Sequence, residues 1–249
     1  GEGRLYKRFY SGENGLLQKD NNFKADTRKL QQSIKSSIEG LLGKKFNNIY
    51  SNFMQSKDLN KVRKTNIVLN EDAELGQGTL PLSYNQGLYI HLIFKMDAQN
   101  EQLRKQGWDD TSFKQLEDFL GKEYLGVSDY VTKLLEDQYS KYNQTHLELL
   151  RTDLGFEEGY FPTKYDDVDL AYEIDLSGAK FSLASVMPSN IKEKVKNNNR
   201  IDISQNAFDV LNQYLDSMER FHHYGRFTKD LNAVINNKDF KNNVKSYDE

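Results

Sequence analysis

Helical periodicity dominates the apolar positions of the chain, beginning near Asp26. From there, apolar residues recur at intervals of three, four and seven, which is the spacing of one face of a helix. Gly40 and Gly43 lie within this stripe and weaken it, because glycine is a poor helix former. We therefore expect a kink or a split at this point. The stripe consists of Leu30, Ile34, Ile38, Leu41, Leu42, Ile49 and Phe53.

A strong helix start follows residues 56–80, which the pattern indicates to be a connector. Ser83 and Gln86 have the spacing of a capping box, and Leu82 stands where an apolar staple residue belongs. Apolar residues then continue at helical spacing until Gly107, which is a stop signal. The pattern predicts one helix from Ser83 to Gly107.

Two further helices are predicted in the middle of the chain. A short one covers residues 112–120 and stops at Gly121, and a longer one covers residues 128–151. Gly155 stands where the C-terminal stop of the longer helix is expected.

The last third of the chain begins with a different pattern. Residues 168–176 alternate between apolar and polar, which favours a strand, but no partner strand is evident. Helical signals return near Ser189 and strengthen from Ser204, where apolar residues form a wide face. A separate final helix is predicted to begin near Thr228.

These elements predict a mainly α fold. We expect an irregular multi-helix bundle with a long aromatic–proline loop and at most a minor β-hairpin. The predicted segments are a flexible arm (1–22), a basic helical segment (23–66), an acidic helical bundle (67–155), an aromatic–proline turn with an extended segment (156–188), and C-terminal helices that pack on the bundle (189–249).

The stretch 154–162 combines backbone constraints with aromatic side chains. Gly155 and Gly159 can take backbone angles that other residues resist, and Pro162 biases Phe161 towards an extended conformation. Aromatic side chains are costly to leave in water, so we expect them to anchor this loop as an internal structural clasp. The predicted members of the clasp are Phe156, Tyr160, Phe161 and Pro162.

Composition limits the class of protein. The chain has 249 residues, and its aromatic content of 12% argues against disorder although 29% of the residues are charged. The sequence contains no cysteine, which excludes disulfides and thiolate metal sites and argues against a disulfide-stabilised secreted protein. No apolar run approaches the roughly 18–20 residues that span a bilayer, so we expect no membrane contact.

The net charge of −3 conceals a strong partition. Residues 1–66 carry 14 Lys/Arg and 6 Asp/Glu, a balance of +8, whereas residues 67–175 carry 9 and 22, a balance of −13. The basic segment is either a nucleic-acid contact or the solvated face of a helix that docks on the acidic middle. Its basic residues are dispersed and lack interleaved aromatics, which favours docking.

Three carboxylates after the turn are candidate metal ligands. Asp166, Asp167 and Asp169 offer oxygen atoms for a divalent cation. The glycine and the glutamate of a calcium loop are missing, because Ala171 and Ser177 occupy their positions. A solvated acidic loop without metal is therefore the preferred interpretation.

The histidines are candidates for chemistry, and each has a structural alternative. His222 and His223 are predicted at a helix end, where adjacent side chains project about 100° apart and rarely bind one metal. With Glu219 they favour a polar cluster, although a metal-dependent enzyme that adds one of them to the three aspartates is the alternative. His91 and His146 lie in apolar patterns and are predicted to be core or boundary residues.

A short basic run near residue 196 is the candidate anion or nucleic-acid contact. Such runs are also typical of solvated helix ends. The run contains Lys192, Lys194, Lys196 and Arg200. No phosphate-binding loop, serine elbow or HExxH motif occurs in the sequence, so we predict no catalytic residue, no cofactor and a non-catalytic role.

The order of several motifs resembles a known group of proteins. The motifs are the helix start at 80–90 with Lys95, the region 142–162 that closes with the aromatic–proline turn, the basic run 192–200, and the Phe-His-His-Tyr sequence at 221–224. Together they are similar to segments of the very large, multi-segment (polyvalent) proteins of bacteriophages and integrative mobile elements. The resemblance covers residues 80–235 and leaves the basic first segment unmatched.

The resemblance implies a structural or delivery-associated segment of a larger polypeptide. Its implied partners are other segments of that polypeptide or virion proteins, and its implied location is the virion or the bacterial cytoplasm. It supplies no catalytic residue. The alternative is a nucleic-acid-associated module of a larger polymerase-like or DNA-processing polypeptide, which rests on the basic residues 1–66 and on the basic run 192–200.

Overall fold

Helices form almost all of the regular structure in the part of the chain that the computed structural model describes. This part comprises residues 10–12, 15–44, 56–70, 78–163 and 201–237. The helices are α1 (Leu16–Leu42), α2 (Lys57–Asn60), α3 (Tyr84–Phe94), α4 (Asp97–Lys105), α5 (Asp110–Leu150) and α6 (Ala207–Ile235). The prediction of a mainly α, multi-helix fold is confirmed.

The first helix begins earlier than predicted. It starts at Leu16, so residues 16–22 are helical and the prediction of a flexible arm is wrong for them. The reason is tertiary packing, since Phe23 is buried with its ring 5.5 Å from that of Tyr224 in α6. The Tyr224 hydroxyl also donates a hydrogen bond to Asp20 at 2.9 Å.

The same helix ends at Leu42, where the glycine signals predicted an interruption. Gly43 has a φ of 61° and its N–H donates to the carbonyl of Glu39, which closes the helix with a left-handed residue. Gly40 lies inside the helix. The predicted stripe positions Ile49 and Phe53 lie outside the described residues.

The connector before α3 belongs to the core. Two isolated antiparallel bridges pair Arg63 with Leu82 and Val68 with Thr79. Between them, Ile67 is fully buried. Thr65, Ile67 and Leu69 are buried, whereas the residues between them are exposed, which is the alternation of an extended segment with one face on the core.

α3 is the central helix of the bundle. Its capping box is present as predicted: the N–H of Gln86 donates to the Ser83 hydroxyl at 3.1 Å, and the N–H of Ser83 donates to the Gln86 side chain at 2.9 Å. Nearly every side of the helix is buried, and it packs against α2, α4, α5 and α6.

The helix predicted from Ser83 to Gly107 is two helices. Met96 has an extended backbone (φ −90°, ψ 131°) and separates α3 from α4. The exposed carbonyl of Phe94 is satisfied by the Asn100 side chain, whose Nδ2 donates at 3.0 Å. Met96 itself is buried, so packing rather than a glycine or proline produces the break.

The helical backbone of α5 is broken at Gly121, so the predicted stop at this residue is confirmed and α5 consists of two consecutive helical segments. Gly121 has a φ of 65° and a ψ of 172°, a combination that is accessible essentially to glycine alone. The residues on both sides are helical. The second segment starts directly after Gly121, earlier than the predicted start at residue 128.

α6 is a single helix from Ala207 to Ile235 and passes through Thr228, where a separate helix was predicted to begin. It packs against α1, α3 and α5. The approach to α5 is close, because a Cβ placed on Gly225 would lie 2.5 Å from Leu149 Cδ1. The residues between 189 and 200 lie outside the described part.

Candidate functional site

Two groups of predicted site residues lie outside the described part of the chain. They are the candidate anion contact, Lys192, Lys194, Lys196 and Arg200, and the candidate metal ligands, Asp166, Asp167 and Asp169. The predicted strand at 168–176 lies there as well. The described candidates are the aromatic–proline loop and the polar cluster around Glu219.

The aromatic–proline loop, residues 153–163, is held against α5 by a hydrogen-bonded network at its start. Asp153 accepts from the N–H of Gly155 at 2.7 Å, from the Tyr139 hydroxyl at 2.9 Å and from the Asn143 amide at 3.1 Å. The side-chain amide oxygen of Asn143, Oδ1, in turn accepts from the N–H of Leu154 at 2.8 Å. Tyr139 and Asn143 are one helical turn apart, so one face of α5 organises the loop.

Phe161 anchors the other end of the loop in the core. Its side chain has no exposed surface, and its ring meets the ring of Tyr89 in α3 edge-on at 6.1 Å. Its N–H points at the sulfur of Met96 at 3.3 Å. Phe161 therefore fills the junction where α3 ends and α4 begins.

Tyr160 and Pro162 complete this anchor. The ring of Tyr160 lies 5.9 Å from that of Tyr214 in α6, and Pro162 is buried. Gly159 has a φ of 69° and its N–H donates to Glu136 at 3.4 Å, which orients the aromatic pair towards the core. The loop thus contacts both the acidic bundle and the C-terminal helix.

Phe156 differs from the other predicted clasp residues. Its side chain is 59% exposed, and its ring contacts only the edge of Tyr139, at 5.1 Å, among the ring contacts described. The exposure of Phe156 therefore corrects the prediction that it belongs to the internal clasp. Gly155, the preceding residue, has a φ of 79°, a left-handed conformation that glycine adopts without strain.

The second candidate is a buried polar cluster, which we call the Glu219 cluster. It comprises Glu219 and His223 from α6, Lys141 and Tyr142 from α5, and Asp26 from α1. Glu219 is 1% exposed, forms an ion pair with Lys141 and accepts from the Tyr142 hydroxyl at 2.7 Å. Glu219 connects α5 with α6, and His223 extends the cluster to Asp26 in α1.

The electrostatics of the cluster favour an ionised carboxylate. Burial alone would raise the pKa of Glu219, but the His223 ring, the Lys141 ammonium and the Tyr142 hydroxyl lower it to about 2. The His223 Nε2 atom lies 3.4 Å from Glu219 Oε2 and 3.3 Å from Asp26 Oδ2. A negative charge at the centre is thus compensated by groups on neighbouring helices.

His222 projects to a different side of α6 from His223. Its Nδ1 atom lies 2.6 Å from the Thr145 hydroxyl, and burial lowers its pKa, as do the nearby His223 and Lys141. The pair lies inside α6, so its predicted position at a helix end is wrong. Among the described residues, no three His, Asp or Glu side chains are placed to hold a metal ion.

The other two histidines lie in the core, as their patterns predicted. His91 and His146 are each 5% exposed. His91 Nδ1 lies 2.8 Å from the Ser128 hydroxyl, and burial, followed by the charge of Lys95, lowers its pKa to about 4. His146 Nδ1 donates to the carbonyl of Thr152 at 2.7 Å, which ties the end of α5 to the loop.

The basic first segment docks on the bundle, which is the interpretation that its sequence favoured. α1 packs against both α5 and α6. Several of its cations pair with acids of the same segment, such as Lys24 with Asp20 at 2.6 Å and Arg63 with Asp58 at 2.8 Å. Its positive charge is therefore partly neutralised locally.

The sequence grouped Glu219 with the two adjacent histidines, and its partners in other helices were missed. Lys141, Tyr142 and Asp26 were not identified as members of the cluster. The sequence contained a signal for buried partners, because Glu219 lies between the apolar residues Met218 and Phe221, which are both buried in α6. An acid inside an apolar face requires buried partners.

Comparison of the chain with protein-family models, with curated protein sequences and with solved structures finds no match. The resemblance to phage and mobile-element proteins therefore stays a prediction. None of the helices in the described ranges is long and apolar enough to cross a membrane.

Proposed function

We propose that this chain is a structural or delivery-associated helical segment of a large phage or mobile-element protein. The observation that carries the proposal is the seating of Phe161 at the junction of α3 and α4. A loop that is anchored in this way connects neighbouring helices firmly. It has little freedom for the opening movement that a loop-gated binding site requires.

The Glu219 cluster supports the same proposal. Its carboxylate is surrounded by Lys141, Tyr142 and His223, and it connects α5 with α6. Burying a charge is costly, so such a cluster is expected where a unique helix arrangement has to be specified. In a long polypeptide, a uniquely packed segment keeps its neighbours at a fixed distance.

The test of this proposal is the protein content of purified particles from the source element. Quantitative mass spectrometry is expected to detect peptides of this chain at a fixed ratio to capsid or tail proteins. The peptides should survive protease treatment of intact particles. Detection only in the lysate that remains after the particles are removed would contradict the virion role.

The alternative proposal, a nucleic-acid-associated module, rests on the balance of +8 in residues 1–66. The local ion pairs of Lys24, Lys35 and Arg63 leave it with less support. Binding to DNA or RNA whose affinity falls steeply with salt would favour the alternative. The absence of binding at low salt would remove it.

A further inference from the structure

The two phenylalanines of the aromatic–proline loop have opposite environments. Phe161 is fully buried, whereas Phe156 is the most exposed large apolar side chain among the described residues, at 59%. An exposed phenylalanine at the tip of a mobile loop would not by itself indicate a binding site. Here, however, the loop around it is fixed.

Three contacts fix the loop next to Phe156. The N–H of Gly155, one residue earlier, donates to Asp153, and the Tyr139 hydroxyl donates to the same carboxylate. The Tyr139 ring also supports the edge of the Phe156 ring at 5.1 Å. A side chain held in one place loses little entropy on binding, which is the property of an anchor residue in an interface.

The surroundings of Phe156 are acidic. Residues 152–163 contain Asp153, Glu157 and Glu158, and the nearest basic residues in the sequence, Arg151 and Lys164, lie five and eight positions from Phe156. α5 adds Glu136, whose carboxylate contacts the N–H of Gly159. The backbone N–H of Gly155, followed by the Asn143 and Tyr139 side chains, lowers the pKa of Asp153 and keeps it ionised.

This combination specifies the chemistry of a partner. An aromatic anchor requires an apolar pocket or side chain, and an acidic rim requires Lys or Arg around it. Nucleic acids and anionic lipid surfaces carry the wrong sign of charge for this rim.

We propose that Phe156, supported by Tyr139 and surrounded by Asp153, Glu157 and Glu158, is the anchor of a docking surface for a basic protein segment that presents an apolar residue between Lys or Arg side chains. The surface goes beyond the proposed architectural role, and it stands whether or not the chain is found in virions. Phe161 fixes the loop in the core, and Phe156 contacts the partner segment.

The test is a selection of displayed 12-residue peptides on the folded chain, followed by affinity measurements with synthetic copies of the selected peptides. We expect enrichment of peptides with at least two Lys or Arg residues around an aromatic or aliphatic residue. Phe156→Ser and the double change Glu157→Lys, Glu158→Lys should each weaken binding at least about tenfold. Val62→Ser is the matched control, because Val62 is 55% exposed and lies in another part of the chain.

The proposal is overturned by any of three results. The selected peptides are acidic or neutral, or they bind Phe156→Ser as tightly as the unchanged chain, or no peptide is enriched over a folded control protein. Sedimentation can give a fourth contradicting result. A dimer that Phe156→Ser dissociates would assign the surface to a second copy of the chain. Unchanged thermal unfolding of Phe156→Ser ensures that loss of binding does not reflect loss of fold.

Discussion

Replacement of Phe161 by alanine is the most informative perturbation of this fold. Removal of a fully buried phenylalanine costs about 3–5 kcal/mol in well-packed cores. The ring packs against Tyr89 in α3, and the backbone N–H contacts the sulfur of Met96 at the junction of α3 and α4; both partners are buried, so the cavity left by the ring is not expected to collapse fully. The end of a loop relaxes more easily than a helix interior, which places the expected loss at about 3 kcal/mol.

Chemical and thermal unfolding measure this loss. For a chain of this size, 1 kcal/mol corresponds to about 2–4 °C in the melting temperature, so Phe161→Ala should lower it by roughly 6–12 °C. The change should appear in the far-ultraviolet circular dichroism of all helices at once, because the residue contacts the central helix.

Phe156→Ala is the matched control in the same loop. It removes the same atoms from a side chain that is 59% exposed, so the expected cost is below about 1 kcal/mol. Equal effects of the two changes, or an unchanged melting temperature for Phe161→Ala, would refute the assignment of Phe161 as the anchor.

Three further predictions concern charge and backbone. Acidification should destabilise the fold in two stages. The first should occur as pH falls from 6.5 towards 4, because buried His91 binds a proton less readily than it does in the unfolded chain. The second should occur as pH falls from 4.5 towards 2, because protonation of Glu219 removes the negative charge that its partners stabilise in the fold. Urea unfolding across this pH range checks both stages, and His91→Gln should weaken the first, to which His222 also contributes because burial lowers its pKa. Lys141→Met should cost about 2 kcal/mol and shift the second stage to higher pH, because the pKa of Glu219 rises without the ammonium; an unchanged acid transition would contradict the pairing. Gly121→Ala should cost about 1–3 kcal/mol, because alanine is strained at a φ of 65° and a ψ of 172°, and a neutral result in urea unfolding would show that the kink straightens.

Local signals in the sequence predicted the features that depend on neighbouring residues. Ser83 and Gln86 form their capping box, Gly43 closes α1, and Gly121 interrupts the helical backbone. In each case the atoms that decide the conformation lie within a few residues of one another. Such features need no knowledge of the rest of the fold.

Features that depend on distant contacts were not predictable in the same way. Met96 separates α3 from α4 although it is neither glycine nor proline, and the reason is its burial beside Phe161. α1 extends back to Leu16 because Phe23 and Asp20 meet Tyr224, which lies in the last helix. Periodicity within one segment contains no information on these contacts.

The candidate sites illustrate the same division. The sequence identified the aromatic–proline loop and Glu219, but it assigned Phe156 and Phe161 to the same clasp. Only the packing of the loop on α3 and α5 distinguishes the buried ring from the exposed one. The partners of Glu219 in α5 likewise became evident only from the helix arrangement.

The most direct measurement of the central claim is hydrogen exchange of the aromatic–proline loop in the intact chain. If Phe161 anchors the loop in the core, its amide and that of Tyr160 should exchange about as slowly as the amides of α3, because their opening requires unfolding of the bundle. Exchange of these two amides within seconds, while α3 stays protected, would contradict the account, since it would show a loop that lies on the surface without being anchored.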